Sequence, residues 1–139
     1  MKKHGLLSLL LAAAASLALA GPTPAPDGAK ATIISPEDGA TVNSPVKVVF
    51  GLGGMGIAPA GIQHANTGHH HLLVDVDGLP NLDLPIPTDA NHIHFGGGQT
   101  EAEFELAPGT HTLQLLLGDY SHIPHSPPVK SEVVTITVE

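Results

Sequence analysis

Apolar and polar residues alternate with a period of two along most of this chain, and this pattern restricts its fold more than any other feature. Residues 46–52 place four apolar side chains on one face, and residues 134–138 alternate valine or isoleucine with threonine. Residues 101–106 alternate three glutamates with apolar residues in the same way. No window of useful length shows the 3.6-residue period of an amphipathic helix. The pattern therefore predicts an all-β chain.

The spacing of the strand-like runs predicts the architecture. Seven runs, separated by Gly, Pro, Asn and Asp, begin near residues 31, 46, 69, 92, 101, 110 and 131. Seven short strands are typical of an antiparallel, immunoglobulin-like β-sandwich, and 139 residues suffice for one domain. Three connections are long for such a fold, at residues 51–68, 77–91 and 118–130, and long loops on a rigid scaffold tend to carry function. We expect one β-sandwich domain over residues 31–139.

The N-terminal residues 1–20 have the features of a secretory signal peptide. Two lysines precede an apolar run over residues 6–19, and the sequence ALA at residues 18–20 fits the small-x-small cleavage pattern. The run is too short to cross a bilayer comfortably. The Pro-rich residues 21–30 that follow predict a flexible leader. We expect a cleaved signal peptide and a mature protein that is periplasmic or secreted, with no membrane attachment.

The residue types that the chain lacks exclude several functions. Without Cys there is no disulfide, thiolate metal site or thiol nucleophile, and without Arg there is no bidentate clamp for phosphate. The formal net charge of −8 repels nucleic acid and anionic lipid, and it attracts cations. The chain has no Gly-x-Ser-x-Gly nucleophile turn, and no helical pattern follows its Gly-rich residues 51–56, as a phosphate-binding glycine motif would require. A metal hydrolase would need an open coordination position and a placed general base, and the sequence positions neither. We expect a protein that is not an enzyme.

Histidine is the residue type that points to a function, with ten in the chain. Two strand-like segments each carry a His-x-His pair in the same phase, His69 with His71 and His92 with His94. Alternate residues of a strand lie about 6.6 Å apart on one side, so two imidazoles can close on one ion. The nitrogen-to-metal distance in such a site is about 2.0 to 2.1 Å. If the two strands are neighbours, their four rings would supply a complete coordination shell, or three ligands and an open position.

A third pair, His122 and His125, lies in the last long loop at His-x-x-His spacing. Prolines stiffen this loop, and a turn within it would present both rings. Asp119 precedes the pair, and a carboxylate beside a ligating imidazole fixes the tautomer of the ring. The predicted metal ligands are therefore the six histidines of the three pairs: His69, His71, His92, His94, His122 and His125.

The other histidines of the domain have simpler explanations. His70 and His111 are in phase with an apolar face, each at the end of a strand-like run, which predicts a structural role. His64 lies in a loop and is expected to be solvated. Since Met55 is the only methionine after the predicted signal peptide, ligands for Cu(I) are scarce, whereas imidazole suits Zn(II), Cu(II) or Ni(II). The expected cofactor is Zn(II) or Cu(II).

Four strings of the chain resemble a known family. They are NTGHHHLLVD (residues 66–75), PIPTDANHIHFGGGQTE (85–101), PGTHTLQLLLGD (108–119) and HIPHSPPVKSE (122–132). They are similar to the bacterial family known as domain of unknown function 4399, over roughly residues 50–138. The resemblance implies an exported, single-domain protein. It covers the histidines of all three pairs and implies no catalytic role for them.

Two classes of function remain open on the sequence. The first is a periplasmic, histidine-rich metal-binding protein that buffers or delivers Zn(II) or Cu(II), so that a metal ion is its partner. The alternative is a non-enzymatic interaction module of the cell envelope, whose histidines only order the loops and whose partner is another envelope protein. A sandwich with free edge strands would suit this second function.

Overall fold

The computed structural model describes residues 22–139, so the predicted signal peptide lies outside the described residues. Within this range the chain forms nine strands and no helix. The described residues therefore contain no helix that could cross a membrane. The strands are β1 (Lys30–Ser35), β2 (Thr41–Val42), β3 (Val46–Gly53), β4 (Gly56–Ile57), β5 (Thr67–Val74), β6 (His92–His94), β7 (Glu101–Phe104), β8 (Gly109–Gly118) and β9 (Val134–Val138).

The strands form two sheets, which confirms the predicted all-β sandwich. The first sheet has the order β1-β3-β7 and is antiparallel. The second has the order β2-β9-β8-β5-β4, and β6 also pairs with β5. Two pairings in this sheet are parallel, β2 with β9 and β4 with β5, so the sandwich is mixed rather than purely antiparallel. The strands β2 and β4 are only two residues long. A segment that short carries no periodicity from which sequence analysis could find it.

The main hydrophobic core lies between the two sheets. Apolar side chains from alternate positions of β1 and β3 meet those of β5, β8 and β9, as strand alternation predicts. The buried members are Ala31, Ile33, Val46, Val48, Phe50, Leu72, Val74, Phe95, Leu113, Leu115, Leu117, Val129, Val134, Ile136 and Val138. This core fixes β5 and β8 as the centre of the second sheet.

Strand β5 is buried on both faces. Its residues from Gly68 to Val74 are all buried, although a strand of a two-sheet sandwich would normally expose one face. The outer face is covered because Leu73 packs with Leu116 and with Ile86, which comes from the loop between β5 and β6. The side that alternation directs away from the main core is therefore enclosed by loops.

The predicted leader makes specific contacts with the rest of the domain. The backbone N–H of Ala25 donates to the carbonyl of Ser126 (3.1 Å), and the N–H of Ser126 donates to the carbonyl of Thr23 (3.0 Å). Ala25 and Ala29 also pack against the main core. These contacts place residues 23–29 against the domain. They arise because the segment pairs with the loop between β8 and β9, a long-range contact that composition does not encode.

Candidate metal centre

Four histidines from three segments of the chain converge on the outer face of the second sheet. His69 and His71 belong to β5, His94 belongs to β6, and His122 lies in the loop after β8. One ring nitrogen from each lies within 4.8 Å of those of the other three. The convergence follows from the pairing of β5 with β6, which sets His71 directly opposite His94. The two His-x-His segments are thus neighbours in one sheet.

The four rings are spaced as ligands of one tetrahedral ion would be. In such a site each nitrogen lies about 2.0 to 2.1 Å from the ion and each ring centre about 1 Å further out, so the ring centres lie about 5 Å apart. The six distances between ring centres in this cluster range from 4.7 to 6.0 Å. The ring of His122 stands nearly perpendicular to the other three, at 82° to 86°. The arrangement could therefore hold a metal ion.

Several ring nitrogens in the cluster are buried without a hydrogen-bond partner. They are Nδ1 of His69, both nitrogens of His71 and Nε2 of His94. The one contact between ring nitrogens joins Nε2 of His69 to Nδ1 of His122 at 3.1 Å. A buried polar group without a partner typically costs about 1 to 3 kcal/mol. Because buried polar groups of folded proteins nearly always have partners, these nitrogens suit a site in which a bound ion is the partner.

The surroundings of His69, His71 and His94 favour the uncharged form of their rings, because they lower the pKa of each. Burial, reinforced by the neighbouring histidines, lowers the pKa of His69 to about 4 and that of His71 to about 3. Burial and the proximity of His122 also lower the pKa of His94. A neutral imidazole carries one nitrogen lone pair that a metal ion can accept. His69, His71 and His94 therefore need not lose a proton before they bind an ion at pH 7.

The turn that carries His122 is built around the carboxylate of Asp119. Its Oδ1 accepts the backbone N–H groups of Ser121 (2.8 Å) and Ile123 (3.0 Å), and its Oδ2 accepts the hydroxyl of Thr23 (2.6 Å). His122, between the two backbone donors, has a φ of 68°. The sequence suggested that Asp119 would bond a histidine ring directly. The structure shows that it bonds the backbone on both sides of the histidine instead.

Two glycines form the walls of the cluster. A Cβ atom at Gly118 would lie 2.7 Å from Cε1 of the His71 ring and 3.3 Å from Cα of His122. A Cβ atom at Gly96 would overlap the ring of His94 and lie 2.8 Å from its Nε2. The backbone can approach the imidazoles this closely only where no side chain is present. Sequence analysis did not single out these positions, although the run of three glycines at residues 96–98 directly follows the second His-x-His segment.

The other two predicted ligands, His92 and His125, lie outside the group of four. The Nδ1 of His92 contacts a carboxylate oxygen of Asp89 at 2.9 Å, and His92 pairs across the sheet with Leu73. His125 is buried, and its Nε2 lies 3.2 Å from the carbonyl oxygen of Thr67. Both rings therefore have local partners, which residue spacing alone did not reveal.

The histidines that were expected to be structural or solvated occupy such positions. His70 faces the main core and packs against the ring of Phe50 at 5.2 Å. His111 contacts a carboxylate oxygen of Asp75 and the carbonyl oxygen of Ala107, each at 2.7 Å, and these two acceptors raise its pKa. His64 is exposed in the loop before β5.

The fold and the site together define the class of protein. It is a β-sandwich with a partly buried cluster of four histidines that could hold a metal ion. The chain matches the family described as a domain of unknown function (DUF4399) over residues 48–139, which include all four histidines of the cluster. The chain belongs to this family, as the resemblance of its motifs predicted. No curated protein and no solved structure matches the chain significantly.

Proposed function

We propose that this protein binds one transition-metal ion, Zn(II) or Cu(II), through His69, His71, His94 and His122, and that it buffers or delivers this ion. The convergence of the four rings carries the proposal, because their ligand nitrogens lie within 4.8 Å of one another. The buried nitrogens without partners support it, since a bound ion would be the partner of one nitrogen in each ring.

The chemistry of the ligands supports this choice of metal. The group contains four imidazoles and no carboxylate, whereas Ca²⁺ and Mg²⁺ require oxygen ligands. Imidazole suits Zn and Cu, and four ligands complete the tetrahedral shell that is typical of non-catalytic zinc sites. A filled shell leaves no coordination position for a reacting water molecule. The proposed role is therefore binding and transfer of the ion rather than catalysis.

We place this activity in the periplasm or outside the cell, on the strength of the predicted signal peptide. The charge of the chain suits the role, since thirteen acidic residues against five basic ones attract cations to the surface. No membrane or nucleic-acid partner is part of the proposal.

The test is metal analysis of the untagged protein, because an added histidine tag would bind the same ions. The protein is dialysed against equal concentrations of Zn(II), Cu(II) and Ni(II), and the bound metal is measured by elemental analysis. We expect about one equivalent of one metal. The variants His71→Ala and His94→Ala should retain much less, whereas His64→Ala and His92→Ala should bind as the unmodified protein does. Absence of stoichiometric metal, or equal loss in all four variants, would refute the proposal.

The interaction module is the second candidate, and one observation favours it. The N–H of Ile86 donates to the carbonyl of His122 (2.8 Å), and the ring of His122 contacts that of His69, so the cluster joins two long loops even without an ion. Under this function a partner from the cell envelope would be retained by the protein in the presence of a chelator. Under metal delivery, retention of a partner would depend on the ion.

A further inference from the structure

We propose that His122 is the exchange ligand of the site and that Asp119 and Thr23 form a latch controlling how fast the ion enters and leaves. The inference rests on the proposed function and deepens it. The coordination position that His122 vacates would then be open to a ligand from the acceptor of the ion.

His122 differs from the other three ligands in the way the backbone holds it. His69, His71 and His94 lie on strands, where ladder hydrogen bonds fix their positions. His122 lies in a turn, and its φ of 68° is uncommon for a residue other than glycine. Displacement of this one ligand needs only a local change of the turn, whereas displacement of any other ligand would disturb the sheet.

The latch consists of the side chains that hold this turn. Asp119 is only 4 % exposed, and it accepts one hydrogen bond from Thr23 and two from the backbone on either side of His122. Thr23 reaches it from the N-terminal segment, 96 residues away in sequence. That segment is itself bridged to the loop at Ser126. The position of His122 therefore depends on a contact between two distant parts of the chain.

A cavity gives access to the latch. It has a volume of about 220 Å³, and both Thr23 and Asp119 line it, together with Thr67 and Tyr120. The rest of its wall is the exposed loop at residues 62–65. Solvent, or a side chain of a partner, can thus reach the bond between Thr23 and Asp119 without opening the sandwich. Once that bond breaks, the turn loses its tie to the N-terminal segment and keeps only its own backbone bonds and the bond from the N–H of Ile86 to the carbonyl of His122, which lowers the barrier for the ring of His122 to move away and leave three histidines with an open position.

The experiment follows the release of Zn(II) from the loaded full chain to an excess of the coloured chelator 4-(2-pyridylazo)resorcinol. Thr23→Val removes the hydroxyl and keeps the shape of the side chain, and Asp119→Ala removes all three acceptor contacts. We expect both variants to release Zn(II) about tenfold faster, because a hydrogen bond to a charged group is among the stronger ones. Since the latch acts on entry as well as exit, the equilibrium affinity should change by less than about threefold in Thr23→Val.

The variant Asp119→Asn separates the latch from a simple effect of charge. The amide oxygen still accepts the two backbone N–H groups, and the NH2 group can donate to the hydroxyl oxygen of Thr23 with the direction of that bond reversed, so the contacts of the latch are kept without the negative charge. A latch predicts release close to that of the unmodified protein, whereas electrostatic stabilisation of the ion predicts release as fast as in Asp119→Ala. The matched control is Ser44→Ala, which removes a hydroxyl-to-carboxylate bond of the same length, 2.6 Å to Glu105, on another part of the domain. It should not change the rate.

A Co(II) spectrum of each variant checks that the four-ligand site remains, because four-coordinate Co(II) absorbs visible light more strongly than five- or six-coordinate Co(II). We expect Thr23→Val to keep the spectrum of the unmodified protein. If the unmodified protein binds one ion but Thr23→Val and Asp119→Ala release it at the unmodified rate, the latch is refuted and the metal-binding function stands. If Asp119→Asn releases it as fast as Asp119→Ala, the latch is also refuted. If the unmodified protein binds no ion, both proposals fail.

Discussion

Replacement of His70 by leucine should make the protein more stable, and more so in acid. His70 is fully buried in the main core against Phe50, and neither of its ring nitrogens has a hydrogen-bond partner. Leucine has a similar size and no polar atoms, so it removes the cost of burying these groups. A change of shape in a packed core usually costs less than about 1.5 kcal/mol. At pH 7.5 we therefore expect His70→Leu to raise the free energy of unfolding by about 1 kcal/mol.

The larger effect of His70→Leu is on the pH dependence of the free energy of unfolding. Burial lowers the pKa of His70 from 6.5 to about 4, so the unfolded chain takes up a proton at higher pH than the folded chain does. The stability that goes with a neutral His70 is fully present above pH 6.5, and it is lost as the pH falls towards 4. At 1.36 kcal/mol for each unit of pKa, His70 accounts for a loss of about 2 kcal/mol between pH 7.5 and 5.0. His70→Leu removes this loss.

The assay is urea unfolding of the metal-free protein at both pH values, followed by far-ultraviolet circular dichroism because the chain has no Trp. The stability difference between His70→Leu and the unmodified protein should grow by about 2 kcal/mol on acidification. His64→Leu is the control, since His64 is exposed and its replacement should leave the pH dependence unchanged. If His70→Leu and the unmodified protein lose stability in parallel, or if leucine destabilises at both pH values, the ring has a partner in the core and the reasoning fails.

Two further predictions concern the other buried contacts. His111 meets an acceptor at each ring nitrogen, so its charged form is favoured and its pKa is raised. Its contribution to the free energy of unfolding is fully present below the pKa of the unfolded chain and is lost as the pH rises through the pKa of the folded chain. His111→Gln should therefore lower the free energy of unfolding by about 1 kcal/mol at pH 6 and by less at pH 9 in the same urea assay. Equal costs at both pH values would contradict this. Gly118→Ala should push the ring of His71 out of place and weaken Zn(II) binding at least about tenfold by titration, since metal distances tolerate only about 0.2 Å. Gly97→Ala, which would contact only the flexible side chain of Gln99, is the control, and equal affinity in the two variants would exclude a role for Gly118.

The fold was predictable from the sequence wherever a strand is long enough to show its period. In β9 valine and isoleucine alternate with threonine, and the burial of that strand alternates in the same way. The sequence also placed His69 and His71 on one face of β5, away from the main core. It did not predict that this face would be buried, because the cover comes from a loop around Ile86 whose path depends on long-range packing. Alternation gives the direction of a side chain but not what lies above it.

Sequence analysis could predict only some of the four histidines of the cluster, because strand positions follow from the pattern whereas loop positions depend on long-range contacts. The place of His94 in the cluster follows from the pairing of β5 with β6, since both strands carry a His-x-His pair. His92 has the same phase, but Asp89, three residues before it in the sequence, offers its ring a carboxylate, and the cross-strand neighbour of His92 is Leu73. His122 depends on a turn held by Asp119 and by Thr23, which lies far away in the sequence. Spacing of the type His-x-x-His therefore found the right loop but could not select which of its two rings joins the group of four histidines.

Under the proposed function, metal occupancy would be linked to the stability of the loops above β5. In the absence of an ion, the unpartnered nitrogens of His69, His71 and His94 lower stability, and the chain has no disulfide to hold the region together. An ion that binds only the folded arrangement offsets this cost in proportion to its affinity and concentration. The segments that close the site, residues 119–125 and the N-terminal residues 23–26, are those that the ion would hold most directly. On this proposal, loss of metal would loosen the latch first and leave the main core intact, so that the site could exchange its ion without unfolding of the domain.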